Sequence, residues 1–342
     1  MVTYQFYPSC FPTTHTFYTK CLVPRSKDDF VDVHKSTSYP KIRMKIRQLK
    51  YLLTGDIGYL FGYDTLSSKY DMLYSSGPVY CGKDNWVLDI MDSPLGLVGY
   101  NWKIFLKEKD KLNKILEADN CKKIIARCED SIDIMKKHFS KKVIDKIVLE
   151  KIELPKKEYI KEKKPYFQVL FLGSINNPQE FYRKVGIPAL DAINRLAKEY
   201  NIKAVIRCEI PPELSDSLNN NPNLVILPHR ISNEEIDNLY KQSDVMISSS
   251  PVMAYMATLE AKSYNLPVIA YDTFGIRAYI KNKDNGFIIK PSNKLKKYFK
   301  SEEYPYNDRD PEFVKGLNEI DERVVNDICD NIKILIGDDY KK

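Results

Sequence analysis

The segment around Glu260 has the residue types that suit nucleotide binding. A short apolar stretch ends at Ser248, and residues 248–256 (SSSPVMAYM) then lead into a helix. The first turn of a helix offers unpaired backbone N–H groups and a partial positive charge, which bind a diphosphate. Glu260 follows about one and a half turns later, where its carboxylate could accept two hydrogen bonds from a ribose diol. The alternative is that Glu260 is a solvated helix residue.

The helix that carries Glu260 is predicted to end at Asn265. Asparagine tolerates the left-handed conformation that ends many helices, and Pro267 prevents the helix from continuing. The apolar sequence PVIAY follows directly. We therefore expect the chain to return to a β-sheet immediately after the helix.

The second half of the chain alternates between predicted strands and helices. Ser232 and Glu235 form a capping-box pattern at the start of one helix, and residues 187–200 have one apolar helical face. The predicted strands are FQVLFLG, KAVIRC, LVILPH, DVMISS, PVIAY and GFIIK. Strands separated by helices of this length indicate a parallel sheet that is covered on both faces.

The first half is less regular, but it favours a second parallel α/β domain. VTYQFY, YDMLYSS and NWVLDIM are predicted strands, and residues 112–139 are predicted to form a helix, a strand and a helix. The lysine-rich block at 156–165 separates the two halves and is interpreted as a linker. The predicted domains are therefore residues 1–160 and 161–342.

The overall composition bounds the class of protein. With 342 residues, 43% of them hydrophobic, the chain can form two packed cores. It has no run of about 18 apolar residues and no signal-peptide pattern, so we expect a cytoplasmic location. The seven cysteines are scattered and match no disulfide or zinc spacing. The net charge of +7 suits an anionic small molecule, an anionic membrane or a solvated lysine-rich surface.

Three other classes lack their signatures. The DRD triplet at 308–310 lies near the C-terminus, so it does not resemble the metal-binding turn of a metal-dependent transferase. The G-x-G-x-x-G pattern of nicotinamide dehydrogenases is missing from a chain with 13 glycines. No nucleic-acid-binding motif accompanies the positive charge, so we predict no nucleic-acid partner.

The order of motifs between Asn223 and Ile289 resembles the C-terminal domain of GT-B glycosyltransferases, especially family four. The shared motifs are the LP turn, the capped helix ending in Tyr240, LEA…LPVIA, GIRAYI and NGF. The resemblance implies an α/β fold with two Rossmann-like parallel-sheet domains facing a cleft. It also implies transfer from a nucleotide diphosphate sugar, UDP- or GDP-linked, with retention and without a metal or other cofactor. The donor would bind to residues 161–342, and the acceptor, a glycan, lipid or protein, to residues 1–160.

The resemblance also implies the roles of individual residues. Asp92, in DIMDSP, falls near the position where the family commonly has a histidine or acid facing the sugar, which would make it catalytic, although a loop carboxylate can also cap a turn. The other candidates would bind the donor, and their alternatives are plain surface, strand-end packing or core positions. These donor-binding candidates are Gly173, Ser174, Lys184, His229, Arg230, Tyr255 and Glu260.

Two departures from the family pattern leave a second function open. Val252 stands where the family has a glutamate that faces the sugar, and Ser174 stands where it has an arginine after the first strand. Arg183 or Lys184 would then neutralise the diphosphate. The alternative is a non-catalytic relative that serves as a nucleotide-binding or partner subunit. The basic segment at 41–50 suggests either a peripheral membrane contact or a solvated helical face.

Overall fold

A computed structural model of the chain divides into two compact units, Met1–Glu153 and Leu154–Lys342. We call them the first unit and the second unit and describe each by itself. The structure describes residues 4–7, 49–51, 53–55, 70–77, 79–90, 93–98, 102–173, 175, 178–184, 186–248, 255–295, 315–316, 319–337 and 340–341. The division lies N-terminal to the predicted boundary at 160/161.

The first unit is built on a five-stranded parallel sheet. Its strands are β1 (Tyr4–Tyr7), β2 (Met72–Ser76), β3 (Trp86–Ile90), β4 (Cys121–Ala126) and β5 (Ile147–Leu149). They lie in chain order, with each strand parallel to the next. The described helices are α1 (Trp102–Glu117), α2 (Glu129–His138) and α3 (Lys141–Ile144). The predicted opening strand and the predicted helix, strand and helix of residues 112–139 are confirmed.

The second unit contains a six-stranded parallel sheet. Its strands are β6 (Phe167–Leu172), β7 (Ile202–Arg207), β8 (Leu224–Ile226), β9 (Val245–Ser248), β10 (Val268–Tyr271) and β11 (Gly286–Ile289). Its described helices are α4 (Gln179–Arg183), α5 (Gly186–Leu196), α6 (Pro212–Asn219), α7 (Asn233–Gln242), α8 (Tyr255–Ser263) and α9 (Glu322–Ile336). The strand order is β8-β7-β6-β9-β10-β11, so the chain winds outward in both directions from β6 and β9.

Apolar layers cover both faces of this second sheet. Val169 and Phe171 of β6 belong to one buried cluster, which includes the inward faces of α5 and α9. Leu170, the residue between them, belongs to a cluster on the opposite face. Because strand side chains alternate between faces, the apolar residues of β6 contribute to one layer or the other, whereas Gln168 is buried and donates a hydrogen bond to the Ser243 hydroxyl. This arrangement explains the largely apolar sequence of β6 and confirms the predicted two-sided parallel sheet.

Two local predictions in the second unit are confirmed. Ser232 Oγ accepts a hydrogen bond from Glu235 N at 3.1 Å, and the Glu235 carboxylate accepts one from Ser232 N at 2.6 Å. Asn265 has a φ of 54°, just after α8 ends at Ser263. The backbone N–H of Leu266 donates to Ala261 O at 3.0 Å, which closes the end of the helix.

Residues 154–165, which we call the strap, contain no helix or strand and lie against the second unit. The backbone N–H of Lys157 donates to Ser263 O at 2.8 Å, and the Tyr159 hydroxyl donates to Tyr264 O at 2.9 Å. Lys161 Nζ donates to Ser243 O at 2.7 Å. The strap therefore bonds to carbonyls at the C-terminal ends of α7 and α8, where cations are favourable. These contacts account for the division at 153/154.

Most of the predicted basic helix at 41–50 lies outside the described residues. The described residues 49–51 and 53–54 are helical, and Leu53 among them is exposed. In the part of the chain that the structure describes, no helix has both the length and the apolar character needed to cross a bilayer.

Candidate functional site

The topology of the second unit creates a switch point between β6 and β9. From β6 the chain proceeds to β7 and β8 on one side, and from β9 it proceeds to β10 and β11 on the other. Loops that leave the carboxyl ends of two such strands run in opposite directions and open a crevice, where open α/β sheets bind their ligands. The residues at these strand ends therefore define the candidate site.

Gly173 follows β6 and lies tightly against the end of β7. Its backbone N–H donates to Arg207 O at 2.8 Å. A Cβ atom on residue 173 would lie 2.1 Å from the Sγ atom of Cys208, so only glycine fits beside this buried side chain. Burial raises the pKa of the Cys208 thiol to about 11, and the thiol is neutral at pH 7. Gly173 was predicted to bind the donor, and it lies at the predicted strand end.

Lys184, at the C-terminal end of α4, reaches the end of β6. Its Nζ atom donates to Leu172 O at 3.1 Å. Desolvation lowers the pKa of the Lys184 ammonium, and the neighbouring cations Arg183 and Arg207 lower it further, while Glu180 opposes the shift. Arg183 is ion-paired with Glu180 within α4. Of the two predicted cations, Lys184 is thus the one shown to contact the strand end.

Arg207 is a third cation at this edge, and the sequence analysis did not single it out. Its Nη1 atom donates to Gly173 O at 3.0 Å, and its Nε atom is buried without a hydrogen-bond partner among the described residues. Desolvation lowers the pKa of Arg207, and Arg230 lowers it further. The available signal was an arginine at the last position of a largely apolar strand, where the chain reaches the ligand-binding edge.

Glu260 is fixed by a buried tyrosine from α7. The Tyr240 hydroxyl donates to Glu260 Oε2 at 2.9 Å, and its ring stacks on that of Tyr264 at 5.1 Å between centroids. Desolvation and the Glu260 carboxylate raise the pKa of Tyr240 well above its usual range, and Arg207 acts in the opposite direction. Tyr240 therefore interacts with both Glu260 and the cation at the end of β7.

The two residues predicted to contact the base, His229 and Arg230, are exposed in the loop after β8. His229 lies near Glu235, since it contributes to lowering the pKa of that carboxyl group. Arg230 lies near Arg207, since it lowers the pKa of the guanidinium. Their contact with a base stays a prediction.

Three predicted positions cannot be placed in the same way. Asp92 and Ser174 lie outside the described residues. Tyr255 begins α8, but its side chain is not described. Ser248 ends β9, and its Oγ atom lies 3.5 Å from Oγ1 of Thr258 in α8, so strand end and helix are close together.

The carboxyl end of the first sheet contains a buried ion pair that the sequence analysis also missed. Arg127 Nε donates to Asp89 Oδ1 at 2.9 Å, and Nη2 donates to Oδ2 at 2.7 Å. The Tyr74 hydroxyl donates to the same carboxylate at 2.5 Å, and Arg127 Nη1 donates to Glu150 O at 3.0 Å. This bidentate pair joins β2, β3 and the end of β4, so its evident role is structural.

Among the described residues, no group of three or more histidine, cysteine, aspartate or glutamate side chains is arranged to hold a metal ion. Among the described residues, the side chains that the second unit brings to the switch point include the cations Lys184 and Arg207, the neutral phenol of Tyr240 and the carboxylate of Glu260. Cations attract phosphate oxygens, and a carboxylate accepts from hydroxyl groups. The arrangement is suited to a ligand with an anionic part and a polyhydroxyl part.

A comparison with protein families matches residues 189–302 to the family described as "Glycosyl transferases group 1". The second unit carries a glycosyl transferases group 1 domain. The matched part of this group 1 domain contains Arg207, His229, Arg230, Tyr240 and Glu260, whereas Gly173 and Lys184 precede it. This match confirms the predicted resemblance to this glycosyltransferase family.

Solved structures of glycosyltransferases are similar to most of the chain. The GtfA/B complex has a TM-score of 0.50 and 12% identity, covering 87% of this chain and 54% of that one. TarM has a TM-score of 0.48 and 15% identity, covering 78% and 54%. A glycosyltransferase from Rickettsia africae ESF-5 has a TM-score of 0.49 and 15% identity, covering 89% and 83%.

This chain spans about half the length of the first two of these structures. A search of curated proteins finds no match. The group 1 domain and the two parallel α/β sheets agree with the predicted fold class, that of GT-B glycosyltransferases.

Proposed function

We propose that the chain is a glycosyltransferase that moves a sugar from a nucleotide diphosphate sugar to a glycan, lipid or protein acceptor. The second unit binds the donor, with UDP- or GDP-linked sugars as the expected class, and the first unit receives the acceptor. By family analogy the transfer is retaining and needs no metal. We further expect the basic segment at 41–50 to contact an anionic membrane surface. Binding to anionic vesicles would test this.

One observation carries this proposal: Lys184 and Arg207 lie at the carboxyl end of a sheet with the Rossmann strand order, and Tyr240 holds Glu260 by a hydrogen bond. The two cations suit a diphosphate, and the oriented carboxylate suits a ribose diol. During transfer, negative charge grows on the departing diphosphate, and fixed cations at that position lower the barrier. The leaving phosphate can take the acceptor proton, so no separate base is required on the donor side.

Thermal unfolding with UDP, GDP, ADP and CMP tests the donor site. A ligand present at about 100 times its dissociation constant adds about 2.7 kcal/mol to the free energy of unfolding. We expect one diphosphate to stabilise the parent protein and to lose most of its effect in Glu260→Ala. Glu234→Ala is the control, because Glu234 is an exposed glutamate in the first turn of α7. If no nucleotide stabilises the parent, the proposed donor site is wrong.

A second candidate function is that of a non-catalytic partner subunit with the same fold. Val252 and Ser174 favour it, because they replace the two charged residues that the family pattern has at these positions. The two candidates differ in donor hydrolysis. An active transferase slowly releases free sugar from its donor without an acceptor, whereas a non-catalytic subunit binds the nucleotide and releases none.

A further inference from the structure

We propose that Arg207 is a diphosphate-binding residue. At the position after β6, where the family pattern has an arginine, this chain has Ser174, and Arg207 at the end of β7 would supply the missing cation. The inference rests on the proposed donor site, but it concerns one residue of this chain to which neither the family match nor the sequence analysis gave a role. Arg207 would act together with Lys184 on the two phosphoryl groups.

The geometry brings the two cations to the same strand end. Arg207 Nη1 donates to Gly173 O at 3.0 Å, and Lys184 Nζ donates to Leu172 O at 3.1 Å. These carbonyls belong to consecutive residues at the carboxyl end of β6. Both side chains are held in place by backbone carbonyls, and the Arg207 guanidinium has further N–H groups with which to bind an oxyanion.

The charge of Arg207 is poorly compensated in the ligand-free protein. Among the described residues it makes no ion pair with a carboxylate, and its Nε atom is buried without a hydrogen-bond partner. The groups whose negative charge would favour it are Cys208 and Tyr240, but burial keeps both neutral at pH 7. Arg230 adds a like charge nearby. A partly buried cation that no carboxylate pairs with is costly unless an anion completes the site.

A purely structural role and an anion-binding role for Arg207 predict opposite effects of its substitution on the stability of the ligand-free protein. If its bond to Gly173 O mainly joins β7 to β6, removal of the guanidinium lowers the melting temperature of the ligand-free protein. If Arg207 instead serves to bind an anion, Arg207→Gln removes the charge that is repelled by Arg230 and keeps an N–H donor. The ligand-free melting temperature then stays the same or rises, and the stabilisation by a diphosphate is lost.

The test compares the parent with Arg207→Gln, Arg207→Lys and the control Arg195→Gln. Arg195→Gln removes the same charge as Arg207→Gln. Arg195, however, pairs with Asp191 and Glu322 in the helical layer of α5 and α9 and does not lie at the carboxyl end of the sheet. The probes are inorganic diphosphate, inorganic phosphate, the stabilising nucleoside diphosphate and its nucleoside, each titrated by calorimetry with melting temperatures measured alongside. The nucleoside reports on binding that involves no phosphate.

We expect Arg207→Gln to bind inorganic diphosphate and the nucleoside diphosphate at least about tenfold more weakly, with unchanged nucleoside affinity and no loss of ligand-free stability. Arg207→Lys should recover part of the affinity, because lysine keeps the positive charge but lacks the paired N–H donors of the guanidinium. Arg195→Gln should bind all four probes as the parent does. If Arg207→Gln does not fold, a several-fold loss in Arg207→Lys supports the proposal.

Each contrary result has a distinct meaning. Parent-like diphosphate affinity in Arg207→Gln, or in a folded Arg207→Lys when the glutamine variant is unfolded, overturns the role of Arg207 and leaves the proposed function standing. Binding of inorganic diphosphate that depends on Arg207, without binding of any nucleotide, supports the anion site and overturns the proposed function. Failure of the parent to bind either inorganic diphosphate or a nucleotide overturns both.

Discussion

Tyr240 determines how the Glu260 carboxylate is presented. The tyrosine is only 1% exposed, and its ring is stacked on that of Tyr264 with an interplanar angle of 11°. Its hydroxyl donates to Glu260 Oε2 at 2.9 Å. Because burial and the adjacent carboxylate raise the pKa of Tyr240, the phenol stays protonated and remains a donor throughout the neutral range. Glu260 is therefore oriented before any ligand arrives.

We predict that Tyr240→Phe weakens binding of the ribonucleoside diphosphate about tenfold, equivalent to about 1.4 kcal/mol. Phenylalanine keeps the stacked ring but leaves Glu260 without the bond that orients it. Binding of the 2′,3′-dideoxy analogue should change little, because it lacks the diol that Glu260 would hold. Titration calorimetry with the two ligands measures both effects.

Tyr51→Phe is the matched control for this prediction. Tyr51 also donates to a buried glutamate, with a distance of 3.0 Å to Glu108 Oε1, but in the first unit. Its removal should leave the affinity for both ligands unchanged. An equal loss for the ribose and dideoxy ligands in Tyr240→Phe would mean that Tyr240 affects the site by some route other than the diol.

At the residue scale, the sequence predicted what depends on neighbours along the chain. The left-handed conformation of Asn265 and the capping residues Ser232 and Glu235 are local signatures, and all are confirmed. Arg207 was missed because its significance comes from Gly173, 34 positions away. The partner of Glu260 was missed for the same reason. Such pairings depend on strand order, which sequence patterns alone do not specify.

At the scale of elements, α7 begins with a complete capping box. The Ser232 hydroxyl and the Glu235 carboxylate each accept a backbone N–H that the helix leaves unpaired. The bond from the Ser232 backbone N–H lowers the pKa of Glu235, and the Ser232 side chain and, to a smaller extent, His229 lower it further. α7 also contains Tyr240. A change in the position of its first turn would therefore shift the helix and, with it, the Tyr240 hydroxyl that bonds to Glu260.

We predict that Ser232→Ala lowers the free energy of unfolding by about 1 kcal/mol, because one N–H at the helix start loses its acceptor. Glu235→Gln should also destabilise the protein at pH 7. Since folding lowers the pKa of Glu235 below its usual 4.5, its ionised form stabilises the folded state above that pH, and the contribution is lost as the pH falls through the lowered pKa. The difference between Glu235→Gln and the parent should therefore shrink in acid.

Urea denaturation at pH 7 and at about pH 4 measures both effects. Asn219→Ala serves as a control, because this residue lies in α6 and its side chain donates an exposed hydrogen bond to the Ser215 hydroxyl. A Ser232→Ala variant as stable as the parent would mean that solvent replaces the cap without cost. A constant difference for Glu235→Gln between the two pH values would contradict the assigned cause of the pKa shift.

At the scale of the whole molecule, the strap combines the composition of a linker with bonds to the second unit. A lysine-rich segment between two apolar regions has the composition of a solvated linker. In the structure its lysines bond to the carbonyls of Ser243 and Ser263, and Lys157 Nζ also donates to the Tyr264 hydroxyl at 2.6 Å. Tyr264 in turn stacks on Tyr240. The strap is thus part of the second unit and supports the stacked pair behind Glu260.

We predict that a fragment of residues 154–342 unfolds at a higher urea concentration than one of residues 166–342. The shorter fragment loses the bonds of Lys157, Tyr159 and Lys161 to the ends of α7 and α8. At about 1 kcal/mol for each net hydrogen bond, we expect a difference of about 2 kcal/mol after the cost of ordering the strap. Ile160→Ser in the longer fragment should change nothing, because Ile160 is 95% exposed. Equal midpoints for the two fragments would mean that the strap is a linker after all, and the unit would then begin at β6.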